Sequence, residues 1–292
     1  MKNEKINPSM YLFKHVKELK HYLNALRKEN AAIGFVPTMG ALHEGHLSLV
    51  RAAKKDNVKV VVSIFVNPTQ FDDTADLAVY PRTAPKDIEM LSSEQTDILF
   101  MPNEKEVYPP GLDTTNPFDF GKMATIMEGA HRTGHFDGMA QVVRRLLQIV
   151  EPDLLYMGQK DYQQQAIVKK MLKLMGVNTE LVMCPIIREP DGLAMSSRNV
   201  RLSEEDRKKA ALISKTLFEA KKEASLFSLQ EMRTRAIEKL SLPGMEVDYF
   251  EVADAISLEP IEHFEDAEQI VICTTVRVGG VRLLDNILLV DG

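Results

Sequence analysis

Apolar residues recur at helical spacing between Val16 and Asn30, where Val16, Leu19, Leu23 and Leu26 would share one helix face. Ala32 to Val36 then predicts a short buried strand stopped by Pro37. Gly45 to Asn57 returns to helical spacing through Leu47, Leu49, Val50 and Ala53. Val58 to Val66 is a β-branched run fit for a strand covered on both faces. The alternation goes on with a helix Asp87 to Ser93, a strand Asp97 to Met101, a helix Met139 to Val150 and a strand Leu154 to Met157. A helix Tyr162 to Met175 and a strand Glu180 to Met183 complete it. Strand, helix, strand in repetition is the unit of a parallel sheet, whose ligands bind beyond the carboxyl ends of the strands.

The pattern breaks twice. Residues 103 to 138 are rich in Pro and Gly and too long for a plain connection, so they predict a functional loop or lid. After Cys184 the chain meets Pro185, Pro190 and Gly192. Ser203-Glu204-Glu205-Asp206 then reads as an N-cap and acidic first turn, and Ser228-Leu229-Gln230-Glu231 as a capping box. Strands are expected at Val247 to Ala253, Ile270 to Val278 and Val281 to Leu284. The expected fold class is therefore α/β: a doubly wound, parallel-sheet, Rossmann-like N-terminal domain (residues 1–185) with a smaller α+β C-terminal domain (residues 186–292).

Composition narrows the function. With 292 residues, 45% hydrophobic and 27% charged, the chain can build a substantial core. No stretch reaches the roughly 18 to 20 apolar residues of a membrane helix, and the Lys-rich start lacks a signal-peptide apolar region, so a cytoplasmic location and no membrane partner are expected. A net charge of −6 without a dense basic cluster argues against a nucleic-acid surface. Cys184 and Cys273, the two cysteines, lie in apolar runs and read as buried free thiols.

The candidate chemistry falls at the predicted strand ends. Pro37-Thr38-Met39-Gly40-Ala41-Leu42-His43-Glu44-Gly45-His46 runs from a strand into a helix. Unbonded N–H groups at a helix start attract phosphate, and glycines let the backbone come close. Two imidazoles add donors. A metal site shared by His43 and His46 is a rival reading, although the spacing is one residue short of His-Glu-x-x-His; incidental structural histidines are another. Met195-Ser196-Ser197-Arg198-Asn199 offers hydroxyls and a fixed cation, a clamp for polyphosphate or merely a solvated turn. Gly158-Gln159-Lys160-Asp161, with Gln163, Gln164 and Gln165 behind it, and Asn67-Pro68-Thr69-Gln70-Phe71 are two further polar strand ends.

Taken together these residues resemble the pantothenate synthetase family, AMP-forming ligases of the His-x-Gly-His nucleotidylyl-transferase superfamily. The resemblance runs through Pro37 to His46, Ile64 to Phe71, Tyr80-Pro81-Arg82-Thr83, Glu128 to Gly138, Gly158 to Gln164 and Asp191 to Asn199. In the second domain it rests mainly on Arg282-Leu283-Leu284-Asp285-Asn286. It implies ATP contacts from Met39, Gly40, Ala41, Leu42, His43, Glu44, Gly45, His46, Gly158, Gln159, Lys160, Asp161, Ile187, Met195, Ser196, Ser197 and Arg198. His46 is implied as the principal catalytic histidine, with His43 and Lys160 assisting. Gln70 and Gln164 fall on pantoate positions, Gln70 also on that for β-alanine, and Asp87 on a Mg²⁺ contact. The implied reaction joins D-pantoate to β-alanine through a pantoyl adenylate, with release of AMP and pyrophosphate, in a homodimer formed through the larger domain.

Pantoate's carboxylate is ionised at neutral pH, so the reaction needs positioning and relief of charge repulsion, not a protein nucleophile. The adenylate must also be kept from water, which predicts closure of the 103–138 loop and the second domain. Three alternatives are a nucleotidyl transferase that leaves its nucleotide on the product, a histidine metallohydrolase and a nucleotide-binding regulator without turnover.

Overall fold

The computed structural model of the chain describes residues 5–7, 10–71, 77–78, 80–115 and 117–289. Its contacts divide into two compact units. The first comprises Met1–Phe120, Arg132–Gly158 and Ile167–Cys184, the second Gly121–His131, Gln159–Ala166 and Pro185–Gly292.

In the first unit the described strands are β1 (Lys5–Asn7), β2 (Met10–Phe13), β3 (Ile33–Thr38), β4 (Lys59–Ile64), β5 (Ile98–Phe100), β6 (Leu154–Gly158) and β7 (Glu180–Cys184). They form one sheet in the order β1-β2-β5-β4-β3-β6-β7. β1 runs antiparallel to β2, and the remaining six are parallel. The chain adds strands on one side of β3 as far as β5 and then on the other side with β6 and β7. The sheet therefore reverses its winding between β3 and β6, the position where doubly wound folds open a crevice. Val60, Val61 and Val62 of β4 are fully buried, as a strand covered on both faces requires.

The helices are α1 (Val16–Lys28), α2 (Glu44–Lys55), α3 (Ala84–Ser93), the single turns α4 (Glu104–Val107) and α5 (Glu128–His131), α6 (His135–Val150) and α7 (Tyr162–Met175). Leu19 and Leu23 of α1 are completely buried, each side chain contributing about 1.5–3 kcal/mol. Pro37 does not stop β3: it pairs with Ser63 of β4. β6 pairs with β3 only at Gly34 and Phe35, so the missing N–H falls where β3 is bonded on one side. The two N-terminal strands carry no periodic signal and are not predicted by the sequence pattern.

The second unit holds an antiparallel sheet, β10-β9-β8, of β8 (Met245–Asp254), β9 (Ile270–Val278) and β10 (Val281–Leu288). It packs with α8 (Glu204–Glu223) and α9 (Leu229–Leu240) around Leu193, Ile213, Leu217, Met232, Val252, Ile272 and Leu283. Ser203 caps α8 by accepting from the Asp206 N–H, and Ser228 with Glu231 forms a capping box on α9.

A single cut at 185/186 does not describe this division. Residues 121–131 and 159–166 group with the C-terminal unit, where Met127, Tyr162 and Ala166 share an apolar cluster with Ala253, Leu258 and Val271. Buried Glu128 meets Arg282, Tyr249 and Thr275, and Tyr162 donates to the Ala255 carbonyl at 2.9 Å. The expected 103–138 loop is thus split at Phe120 and His131 and includes α4, α5 and the start of α6.

Candidate active site

The loop after β3 begins at Thr38, whose hydroxyl donates to the Ser63 carbonyl at 2.7 Å and accepts from the Gly40 N–H. Gly40 has φ +80° and Ala41 φ +51°, so the chain turns sharply through two left-handed residues before α2. A side chain at Gly40 would also meet Ile64 and an Asp87 oxygen at 3.0 and 3.1 Å. Asp87, on α3 and only 1% exposed, accepts from the N–H groups of Ala41 and Leu42 and from the Thr83 hydroxyl. Its carboxylate anchors the loop. Three hydrogen bonds from the protein converge on it, one at Oδ2 and two at Oδ1.

His43 is the N-cap of α2 and His46 lies in its first turn, with ring centroids 4.1 Å apart. The Gly45 N–H donates to His43 Nδ1 and the His43 N–H to His46 Nδ1. A neutral imidazole that accepts at Nδ1 carries its proton at Nε2. Both rings are therefore set as Nε2 donors at the positive end of a helix dipole, beside the sheet reversal. Gly158, at the end of β6, lies on the other side of that reversal.

Gln70 follows β4 in a tight turn, Pro68–Gln70, and its amide donates to the Met39 sulfur at 3.0 Å, so the structure brings two of the sequence motifs together. The turn is gripped from α6. Fully buried Asn67 donates to the Gly138 carbonyl and accepts from the Tyr108 hydroxyl. His135 donates from Nδ1 to the Gln70 carbonyl, and Arg132 donates to its Nε2. A Cβ at Gly138 would lie 2.1 Å from the Thr69 carbonyl oxygen, so glycine is required for this approach.

The other expected site residues belong to the second unit. Gln159–Asp161 form a tight turn leading into α7. Lys160 Nζ lies 3.5 Å from Asp161. Gln163 is buried, accepts from the Glu128 N–H and donates to the Met123 and Ile126 carbonyls, while Gln164 beside it is partly exposed. Ile187 accepts from the Met195 N–H across a small hairpin bridged at Arg188 and Ala194. At its end the Arg198 N–H donates to the Ser196 hydroxyl, and buried Asn199 ties back to the Ala194 carbonyl. Ser197 stands between Ser196 and Arg198, half-buried.

Burial opposes charge on Glu128, yet Arg282 chiefly, with Thr275 and Tyr249, outweighs it and holds the carboxyl below the usual range. Burial pushes the Cys184 thiol up to about 11 and Cys273 higher still, which makes both poor nucleophiles at neutral pH. Among the described residues no three His, Cys, Asp or Glu side chains gather where they could hold a metal ion. The tethering roles of Asp87, Glu128 and Asn286 are missed by sequence reasoning; a charged or amide residue inside an apolar run, as at Asp285-Asn286, is the signal that points to such a role.

Comparison with known proteins agrees with the geometry. A family model described as pantoate-beta-alanine ligase matches residues 11–288. A pantothenate synthetase of Phocaeicola vulgatus is 47% identical over 280 residues, covering 95% of this chain and 99% of its own. The crystal structure of the enzyme from Thermus thermophilus superposes with a TM-score of 0.89 at 38% identity, covering 96% of this chain and 99% of its own. That of the Francisella tularensis ligase, complexed with a β-γ ATP compound and β-alanine, superposes at 0.79 and 38% identity, over 97% and 99%. By the family model, the identity and the superposition alike, the chain belongs to the pantoate-beta-alanine ligase family.

Proposed function

We propose that this ligase condenses D-pantoate with β-alanine at the His43–His46 site, using ATP and passing through pantoyl adenylate. The observation that carries this is the pair of imidazoles whose Nδ1 atoms accept backbone N–H groups, which sets both rings as Nε2–H donors at the start of α2. Such donors suit the charge that builds on phosphate oxygens when a carboxylate attacks the α-phosphorus. His46 is the principal catalytic histidine, with His43 and Lys160 assisting the departure of pyrophosphate.

ATP contacts are assigned to residues 39–46, 158–161, 187 and 195–198. Gln70 and Gln164 hold pantoate, and Gln70 also receives β-alanine; the anchoring of Gln70 by His135 and Met39 supports a fixed, orienting role. Mg²⁺ is proposed to travel with the nucleotide phosphates, since a small hard cation in such sites keeps waters and phosphate oxygens as most of its ligands. No step is assigned to Asp87 as its ligand. Among the described residues no helix is long and apolar enough to cross a membrane; a cytoplasmic homodimer is the proposed setting.

The test is mass detection of products after mixing the protein with ATP, Mg²⁺, D-pantoate and β-alanine, each omitted in turn. Pantothenate and AMP in equal amounts, with adenylate accumulating when β-alanine is left out, are expected. A final product that retains the nucleotide in the complete mixture would move the chain to the transferase reading.

A further inference from the structure

The dipeptide Asp285-Asn286 interrupts the apolar run of β10, and both side chains are buried, Asn286 to 2%. A buried amide must place two donors and one acceptor. Asn286 does so on a single target: its Nδ2 donates to the carbonyls of Gln159 and Lys160 at 2.9 and 2.8 Å, and its Oδ1 accepts from Gln159 Nε2 at 3.1 Å. The ammonium of Lys160, by contrast, reaches Asp161 at 3.5 Å, a contact at the outer limit of hydrogen bonding. The ammonium's contact is thus a weak one, whereas the backbone that carries Lys160 is gripped by Asn286.

Asp285 extends the grip. It accepts from the Asn286 N–H at 2.8 Å and from both terminal nitrogens of Arg188 at 2.6 and 3.0 Å. Arg188 also donates to the Gly192 carbonyl, within the hairpin that joins Ile187 to Met195. Two adjacent residues of one strand thus hold both the turn carrying Lys160 and the hairpin leading to Ser196-Ser197-Arg198.

We propose that Asn286, braced by Asp285, is a positioning residue for adenylation that acts through Lys160, holding its backbone so that the ammonium meets the nucleotide phosphates without a further ordering step. The proposal rests on the reading of Lys160 as a phosphate-neutralising group. A turn held in place beforehand avoids the entropy loss of ordering its backbone at the moment of reaction.

The test is a double-mutant cycle in the full-length protein with Asn286→Ala, Lys160→Ala and the pair together. Single-turnover adenylation is measured at saturating ATP, Mg²⁺ and D-pantoate. Asn286→Ala should slow the step by about 10- to 100-fold, the scale of a misplaced catalytic group, with little change in the KM for pantoate. Against Lys160→Ala the same change should cost less than about twofold, within the error of additive behaviour. An equal loss in both backgrounds, or no loss in the single variant, overturns the proposal. A wild-type rate for Lys160→Ala alone overturns the reading of Lys160 and takes the clamp with it, an outcome distinct from simple additivity. Asn286→Ser, which keeps one donor, runs through the same cycle under the same criterion and decides the matter where circular dichroism shows the alanine variant unfolded.

Discussion

At the scale of single residues, the site depends on atoms whose roles are fixed by what lies behind them. The tautomer of His46 follows from the N–H that its Nδ1 accepts, so His46→Ala removes a donor and not a base. The expected outcome is a fall in single-turnover adenylation of about two to four orders of magnitude, near that for losing a key transition-state contact, with pantoate affinity little altered. Gly138 sets a second requirement. Gly138→Ala drives a methyl group into the Thr69 carbonyl, and the turn holding Gln70 must move away. A loss of about 1–3 kcal/mol in denaturant melts is expected, with a raised KM for pantoate as its functional signature. The histidines and Gln70 can be picked out in the sequence because their chemistry is unusual at a strand end. Asn67 can be placed in the same motif, but its burial cannot be read there, since its partners Tyr108 and Gly138 lie 41 and 71 residues further on.

At the scale of elements, strands and helices are largely legible from periodicity. The helix expected at Tyr162 to Met175 has those same limits, and β9 does too. The departures have physical causes: Pro37 continues a strand because β3 is paired on one side there, and β1 and β2 are too short to show a period. The loop between β3 and α2 is legible as a phosphate site, but the element that shapes it is not. Its left-handed turn is held at Ala41 and Leu42 by Asp87 on α3, 46 and 45 residues away in sequence, which no local pattern signals. Asp87→Asn keeps the size and replaces one accepting oxygen with a donor facing an N–H. The expected result, by isothermal titration, is ATP affinity weaker by about 1–3 kcal/mol, the cost of an unsatisfied buried donor, with pantoate binding nearly unchanged.

At the scale of the whole molecule, several acidic groups work in the same direction. Burial would raise Glu128, Asp248 and Asp97, but their cationic and backbone partners prevail and leave all three lower in the folded chain than unfolded. Each therefore contributes stability that is present above its unfolded pKa, near 4, and is lost as pH falls through its folded value. Asp285 runs the other way, since burial outweighs Arg188 and keeps it raised. Because lowered carboxyls outnumber Asp285, stability should decline below about pH 4.5 in thermal melts. Glu128→Gln should remove part of that slope and destabilise by up to about 3–5 kcal/mol at pH 7, as for one half of a buried ion pair, with Asp248 still pairing Arg282 to temper the loss.

The same Glu128 bears on how the protein is made. Its partner Arg282 lies 154 residues later in the sequence. A growing polypeptide exposes the 121–131 segment long before the strand that neutralises it has been translated. The parallel sheet can close around β3 and β6 during that interval, but Glu128 stays hydrated until β10 emerges from the ribosome. Completion of the second unit thus waits for synthesis of β10, and a fragment ending at residue 185 keeps the carboxylate without its guanidinium.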